Sequence, residues 1–136
     1  MTVRIVRLGS RRQPGEGLRI GTVRRPPRGV KKSEYAARDI YDVWLPNLAP
    51  SEPLLKLGQA ASGSGIRRSD DPAAWRRFVR RYRGEMKTPD ASRVLDLLAA
   101  LSHHADFSVG CYCADETRCH RSVLRELLTA RGAKFA

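Results

Sequence analysis

The feature that most constrains the fold is a short apolar run, FSVGCYC, at residues 107–113. Before it, over 88–102, and after it, over 118–130, apolar residues recur at the spacing of an amphipathic helix. A strand without polar alternation that has a helix on each side along the chain is typical of a buried, parallel sheet. The sequence therefore predicts that residues 107–113 form a central strand.

Other segments extend this pattern. TVRIVRL at 2–8, LRIGTVRR at 18–25 and residues 40–45 before Pro46 read as strands. Helices are predicted over 51–59 and 72–87, in the second of which Trp75, Phe78, Val79 and Tyr82 form one apolar stripe. Strands interleaved with helices predict the α/β class, here one compact three-layer domain with a mostly parallel sheet and helices on both faces.

The domain boundaries follow from length and composition. The chain has 136 residues, which fits a single domain spanning 1–136. Residues 61–70, ASGSGIRRSD, are small and polar with two glycines, and we expect a flexible loop there.

The charge of the chain is strongly positive. With 26 basic and 14 acidic residues, the formal net charge is +12, which favours encounter with polyanions. The helix over 72–87 presents several arginines away from its apolar stripe, and a nucleic-acid-binding module without catalysis is one interpretation. However, 21 of the basic residues are Arg and 5 are Lys. Codon bias toward GC-rich triplets produces the same excess, so charge alone identifies no ligand.

The cellular setting is also an expectation from sequence. No apolar run approaches the length of a membrane span, and the first residues, MTVRIVRLGS, lack the pattern of a secretory signal. Three closely spaced cysteines favour a reducing compartment over a disulfide framework. We therefore expect a cytoplasmic protein without a membrane partner.

The cysteines point to a site. Cys111, Cys113 and Cys119 fall within nine residues, and His120 follows the last of them. In an open α/β sheet, ligands collect beyond the carboxyl ends of strands, where the segment after Cys113 is expected. Thr117 is predicted to cap the last helix, which would place Cys119 in its first turn. A helix start and nearby cationic groups favour the thiolate, so Cys119, His120 and Cys113 are the candidate catalytic residues.

Basic residues around this segment suggest that the partner is an anionic small molecule. Arg118 and Arg121 lie beside Cys119 in sequence. Arg25, Arg28 and Gly29 belong to a basic loop after the second strand, which would reach the same site if it lies at the same end of the sheet. We therefore predict these five residues as ligand-binding, with Gly29 allowing close approach of the backbone.

Two other interpretations of the segment are weaker. Three cysteines and a histidine suit Zn²⁺, but Cys111 and Cys113 flank one strand residue, and the adjacent pair Cys119 and His120 would have to bend toward one ion. We therefore predict no metal and no other cofactor, with Cys111 a small buried apolar residue. The spacing from Cys113 to Arg118 loosely resembles the anion loops of rhodanese-type sulfurtransferases and cysteine phosphatases. Those loops carry glycine, which this one lacks, and its two acidic residues disfavour phosphatase chemistry.

Four pieces of the chain together resemble the domain of unknown function 488 family. They are RRPPRGVKK, DVWLPNLAPSEPLLK, DPAAWRRFVRRYRGEM, and the turn from Cys113 to Cys119-His120-Arg121 before SVLRELL. The resemblance covers about residues 18–130 and implies a compact bacterial α/β domain, but it supplies no reaction. Thiol chemistry in an anion-binding pocket, nucleic-acid binding, and a purely structural cysteine turn all stay open, as does the question of enzymatic activity.

Overall fold

A computed structural model of the protein describes residues 1–62 and 72–136, with no side-chain detail for 59–62. Within these ranges the chain forms four strands and four α-helices. The strands are β1 (Val3–Arg7), β2 (Leu18–Gly21), β3 (Val43–Trp44) and β4 (Phe107–Cys111). The helices are α1 (Glu52–Ser62), α2 (Pro72–Glu85), α3 (Pro89–Leu101) and α4 (His120–Ala130).

All the strand pairs described are parallel, and the strand order is β1-β4-β2-β3. β4 is therefore an interior strand, and Phe107 is in register with Val3 of β1 on one side and with Leu18 of β2 on the other. The predicted α/β class and parallel sheet are confirmed. β2 and β3 are shorter than the predicted segments 18–25 and 40–45. Thr22 still donates to the carbonyl of Gly110, and the proline-containing loop follows it, while β3 pairs with β2 only at Val43 and Trp44.

One face of the sheet carries the main hydrophobic core. Phe107 and Val109 of β4 pack in one cluster with Leu95 of α3 and Leu124 of α4, all at most 1% exposed. α2 adds Phe78 and Tyr82, as its predicted stripe requires, and the Tyr82 hydroxyl donates a hydrogen bond to the carbonyl of Leu48 at 2.6 Å. The helical layer is thus joined to the segment that precedes α1.

The contacts on the other face come from the segments 8–17 and 39–42. The Tyr41 ring packs against Gly21, where a Cβ atom would lie 2.3 Å from the ring. Beside it, the completely buried Arg19 forms a two-point ion pair with Glu16, at 2.6 and 3.0 Å. Arg19 also donates to the carbonyls of Ser10 and Asp39, so each of its three side-chain nitrogens has a hydrogen-bond acceptor.

The same carboxylate is anchored to the central strand. The Ser108 hydroxyl of β4 donates to Glu16 Oε1 at 3.0 Å, and the backbone N–H of Gln13 donates to Oε2 at 3.0 Å. Burial raises the pKa of Glu16, but the hydrogen bonds from Arg19, Gln13 and Ser108, together with the charge of Arg19, outweigh it, and the net effect is a lowered pKa. Glu16 is therefore ionised, and the ion pair joins the loop after β1 to β2 and β4.

Two other predictions concern the loop at 61–70 and membrane-spanning segments. The flexible loop predicted at 61–70 lies outside the described residues, apart from residues 61 and 62, which end α1. Among the residues described, no helix combines the length and the apolar character that crossing a bilayer requires.

Candidate thiol site

The end of β4 and the start of α4 bring the cysteine segment together. Cys111 is the last residue of β4, and Cys113 follows two residues later. Cys119 occupies the N-cap position of α4 in an extended conformation, with φ −128° and ψ 152°. The prediction that Thr117 caps this helix is wrong. Thr117 lies in a separate 3₁₀ turn, Glu116–Arg118, where its N–H donates to the side chain of Asp115 at 3.0 Å.

The three sulfur atoms and one imidazole nitrogen form a compact cluster. Cys111 Sγ lies 3.7 Å from Cys113 Sγ, and Cys119 Sγ lies 3.7 Å from His120 Nδ1. The ligand atoms that Cys111, Cys119 and His120 offer all lie within 4.8 Å of one another. The three cysteines are free thiols. The structure therefore brings the three predicted catalytic residues into one cluster and adds Cys111 to them.

The orientation of His120 is fixed by its other ring nitrogen. Nε2 lies 2.7 Å from the carbonyl oxygen of Thr22, an atom that can only accept a hydrogen bond, so Nε2 carries a proton. The ring is 4% exposed and packs edge-on against Tyr82, with the centroids 5.5 Å apart. Nδ1 is thereby held toward Cys119, where it can accept a proton from the thiol or donate one to the thiolate.

The electrostatics favour an ion pair between Cys119 and His120. Contacts with the thiols of Cys111 and Cys113, followed by the contact with His120, lower the pKa of Cys119 against the opposing effect of burial. Burial also lowers the pKa of His120, but contact with Cys119 and the Thr22 carbonyl raises it overall. Contact with Cys111, contact with Cys119 and burial raise the pKa of Cys113. Of the three cysteines, Cys119 is thus the one whose thiolate form the cluster favours.

Cys111 itself stays protonated. Contact with Cys113 lowers its pKa, but contact with Cys119 and burial have the larger combined effect and raise the pKa to about 12. Two thiols therefore face one thiolate, which is the arrangement that stabilises a buried negative sulfur.

The cluster borders a pocket of about 710 Å³. Its walls are the loop 23–28 after β2, residues 50, 52, 55 and 56 around the start of α1, and the segment 111–113 with His120. Cys113 is partly exposed, whereas Cys119 is only 2% exposed and is not among the lining residues. The pocket therefore reaches the cluster through Cys111, Cys113 and His120.

The predicted ligand-binding residues divide into two groups. Arg25 and Arg28 line the pocket, and Gly29 follows them with φ +70° and open space around its Cα. Arg118 instead lies over the Trp75 ring, 5.9 Å from its centroid, and Arg121 is 3% exposed. Neither of these two is among the pocket-lining residues, so the sequence proximity of Arg118 and Arg121 to Cys119 does not place them in the pocket.

Arg121 instead supports the loop of the site from within. Its Nη2 donates to the carbonyl of Cys113 at 2.5 Å, while its buried Nε has no hydrogen-bond partner among the described residues. Arg24 has a similar supporting role, because it donates to the carbonyls of Pro46, Ala49 and Pro50. Both arginines hold backbone segments that form the pocket.

Sequence reasoning missed Thr22 and Lys56. The carbonyl of Thr22 orients His120, and Lys56 of α1 contributes a positive charge to the pocket wall. The sequence did contain a sign that Thr22 lies near the site, because Thr22 directly follows β2 and ligands collect beyond the carboxyl ends of parallel strands. The contribution of Lys56 depends on where α1 packs, which no local pattern indicates.

A second basic surface lies on α2. Arg76, Arg77, Arg80 and Arg81 are exposed, while Arg83 pairs with Glu126 of α4. A shallow depression of about 440 Å³ runs along the helix beside Trp75 and Val79. This face is the surface that the nucleic-acid interpretation requires.

Comparisons with known proteins bear on the whole chain. Neither the curated proteins nor the solved structures contain a match. A sequence model of the family DUF488-N3a, described as the active DUF488-N3 subclade, matches residues 3–132 and so includes the sheet, the pocket and the cysteine cluster. The chain thus belongs to the DUF488-N3a family of domains of unknown function.

Proposed function

We propose that the protein performs thiol chemistry on a small anionic ligand, with Cys119 as the nucleophile and His120 as its proton partner. The observation that carries this proposal is the 3.7 Å contact between Cys119 Sγ and His120 Nδ1 beside the pocket. A nucleophile within reach of a base that a third group orients is the general arrangement of covalent catalysis, and the Thr22 carbonyl is that third group.

The chemical step uses only these groups and the ligand. The Cys119 thiolate attacks an electrophilic atom of the ligand, and a bond from sulfur to that atom forms. The bond to the leaving group breaks, and the leaving group takes the electron pair together with the proton from His120 Nδ1. The enzyme is left with a covalent adduct on Cys119 and a neutral imidazole, which is then available as a base for the next step.

The proposed ligand is anionic because the pocket wall is cationic. Arg28 and Lys56 contribute positive charge, while Arg25 is partly neutralised by Glu52, whose carboxylate lies 2.8 Å from its Nε. The ligand is also small, because Cys119 is 2% exposed and is reached only past the side chains of Cys111, Cys113 and His120.

Alkylation of the reduced, metal-free protein tests the assignment. With iodoacetamide near neutral pH, we expect Cys119 to react at least about tenfold faster than an ordinary free thiol, of which only a few per cent is ionised there. Peptide mass spectrometry over a time course identifies the modified cysteine. Cys119→Ser removes the fast phase, and Tyr112→Phe, the control beside the cluster, retains it, because the Tyr112 hydroxyl has no hydrogen-bond partner among the described residues. A fast phase that survives in Cys119→Ser, or its absence from the wild type, contradicts the proposal.

The exposed arginines of α2 favour nucleic-acid binding as a second candidate function. Arg80→Ala/Arg81→Ala removes two of these charges, and we expect the salt dependence of binding to weaken by about 1.4–1.8 in log K against log salt concentration. Fluorescence anisotropy with labelled single-stranded and duplex oligonucleotides measures it. Arg93→Ala, an exposed arginine on α3, is the matched control. No anisotropy change at low salt in the wild type eliminates this function.

A further inference from the structure

We propose that Cys111, Cys113, Cys119 and His120 form a tetrahedral Zn²⁺ site. The inference goes beyond the proposed thiol chemistry and does not depend on it, because it rests on the positions of three mutually close ligand atoms and on the contact of Cys113 with one of them. A bound ion would occupy the same sulfur atoms, so the proposed attack by Cys119 belongs to the metal-free state of the protein.

The spacing of the ligand atoms fits a tetrahedron around zinc. With Zn–S bonds of about 2.3 Å, two sulfur ligands stand about 3.8 Å apart, and a sulfur and an imidazole nitrogen stand about 3.6 Å apart. The observed separations are 3.7 Å between Cys111 Sγ and Cys113 Sγ and 3.7 Å between Cys119 Sγ and His120 Nδ1. Cys111 links the two pairs, because the ligand atoms of Cys111, Cys119 and His120 lie within 4.8 Å of one another. Cys113, which is placed by its contact with Cys111, has to close onto the ion to complete the tetrahedron.

The histidine is already oriented as a ligand. Zinc-binding histidines bind through one ring nitrogen and donate the other N–H to a carboxylate or a backbone carbonyl. In this structure Nε2 donates to the Thr22 carbonyl at 2.7 Å, and Nδ1 faces the sulfur of Cys119. The hydrogen bond to the Thr22 carbonyl fixes the imidazole ring before any ion binds, so ordering this ligand costs little binding free energy.

The backbone explains why the neighbours Cys119 and His120 converge, contrary to our expectation from sequence. Cys119 is the extended N-cap residue, whereas His120 is the first residue of α4, and the change of backbone direction between them points both side chains toward Cys111. Cys111 and Cys113 are separated by a single residue, and they direct their sulfur atoms to the same side just after β4 ends.

The donor set and its surroundings select the metal. Thiolates with one imidazole in a tetrahedral arrangement favour Zn²⁺ over the hard ions Mg²⁺ and Ca²⁺, which prefer oxygen ligands. Cys111, Cys119 and His120 are buried, while the partly exposed Cys113 borders the pocket. The pocket is thus the entry path, and Cys113 is the last ligand to close over the ion.

Cobalt titration of the reduced, metal-free full chain tests the site. We expect one equivalent of Co²⁺ to bind with the visible absorption of a tetrahedral ion and thiolate charge-transfer bands in the near ultraviolet, and Zn²⁺ to displace it. Cys111→Ser, Cys119→Ser and His120→Asn each weaken binding at least about a hundredfold, beyond the loss typical of residues that only orient a ligand. Cys113→Ser reduces the charge-transfer absorption from that of three thiolates to that of two. Tyr112→Phe is the matched control, since the Tyr112 hydroxyl is buried without a hydrogen-bond partner among the described residues.

The outcomes separate this inference from the proposed function. An absent or octahedral cobalt spectrum in the wild type overturns the zinc site, whatever the variants do, and leaves rapid alkylation of Cys119 in the metal-free protein unaffected. A tetrahedral spectrum that persists in Cys111→Ser overturns the ligand set. Conversely, a tetrahedral spectrum together with slow alkylation of the metal-free protein supports the zinc site and contradicts the thiol chemistry. One equivalent of Zn²⁺ is expected to protect Cys119 from iodoacetamide.

Discussion

Replacing Arg19 by methionine is expected to lower the free energy of unfolding by about 3–5 kcal/mol, because it leaves the buried carboxylate of Glu16 without its counter-ion. Arg19 is fully buried and forms two hydrogen bonds to Glu16. The substitution also leaves the carbonyls of Ser10 and Asp39 without the hydrogen bonds that Arg19 donates to them. Equilibrium unfolding in urea, with the slope m fitted for each variant, measures the change.

The ion pair of Arg125 with Glu116 provides the control. Both side chains are substantially exposed, so Arg125→Met is expected to cost less than about 1 kcal/mol although the pair spans 2.8 Å. Removing both buried charges in Glu16→Met/Arg19→Met is expected to recover part of the loss, because no unpaired ion then remains in the interior. An unfolding free energy for Arg19→Met within about 1 kcal/mol of the wild type would show that the ion pair does not hold the loop.

Replacing His120 by phenylalanine is expected to slow the alkylation of Cys119 by about a hundredfold near neutral pH, a loss at the lower end of what a positioned acid or base contributes. Phenylalanine keeps the edge-on packing against Tyr82 but cannot exchange a proton with the sulfur. The thiol then loses the cation that favours its charged form, while burial continues to disfavour that form. The measurement is the iodoacetamide rate on the reduced, metal-free protein.

A stability measurement shows whether this effect is local. The substitution removes one hydrogen bond to the Thr22 carbonyl, and we expect a cost of about 1–2 kcal/mol in unfolding free energy. His103→Phe is the matched control, because this exposed histidine bonds the carbonyl of Gly132 and precedes the start of β4, whereas the cysteine cluster lies at the end of that strand. Equal labelling rates in His120→Phe and the wild type would mean that the imidazole does not activate the sulfur.

The sequence predicted the sheet and the helices because their signals are local. The uninterrupted apolar run that contains Phe107 and Val109 identified a strand buried on both faces, and the stripe of Phe78 and Tyr82 identified a core-facing helix. Strand ends were less well predicted. The segment 18–25 was predicted as a strand of eight residues, but β2 has only four, because a strand extends only as far as its neighbouring strands continue beside it. That is a property of the assembled sheet.

The site was predicted in part, because some of its features have local signals in the sequence and others depend on the assembled fold. A cysteine that follows a buried strand and a cysteine–histidine pair before a helix could be placed together by the general geometry of parallel sheets. The convergence of Cys111 with Cys119, and the use of the Thr22 carbonyl to orient His120, depend on backbone directions at three separate chain positions. Arg121 is the converse case: its sequence proximity to Cys119 suggested a ligand contact, and the structure adds a bond from Arg121 to the Cys113 carbonyl that no local pattern indicates.

The interior position of β4 has a consequence for how the cluster behaves over time. Because β4 is bonded to β1 on one side as far as Cys111 and to β2 on the other as far as Gly110, the backbone at Cys111 is expected to open less readily than the loops around it. Cys113 and the basic loop after β2 have no such double anchorage. The side of the site formed by β4 is therefore the more rigid one, and the conformational entropy lost when a small molecule binds in the pocket is expected to come mainly from Cys113 and the basic loop.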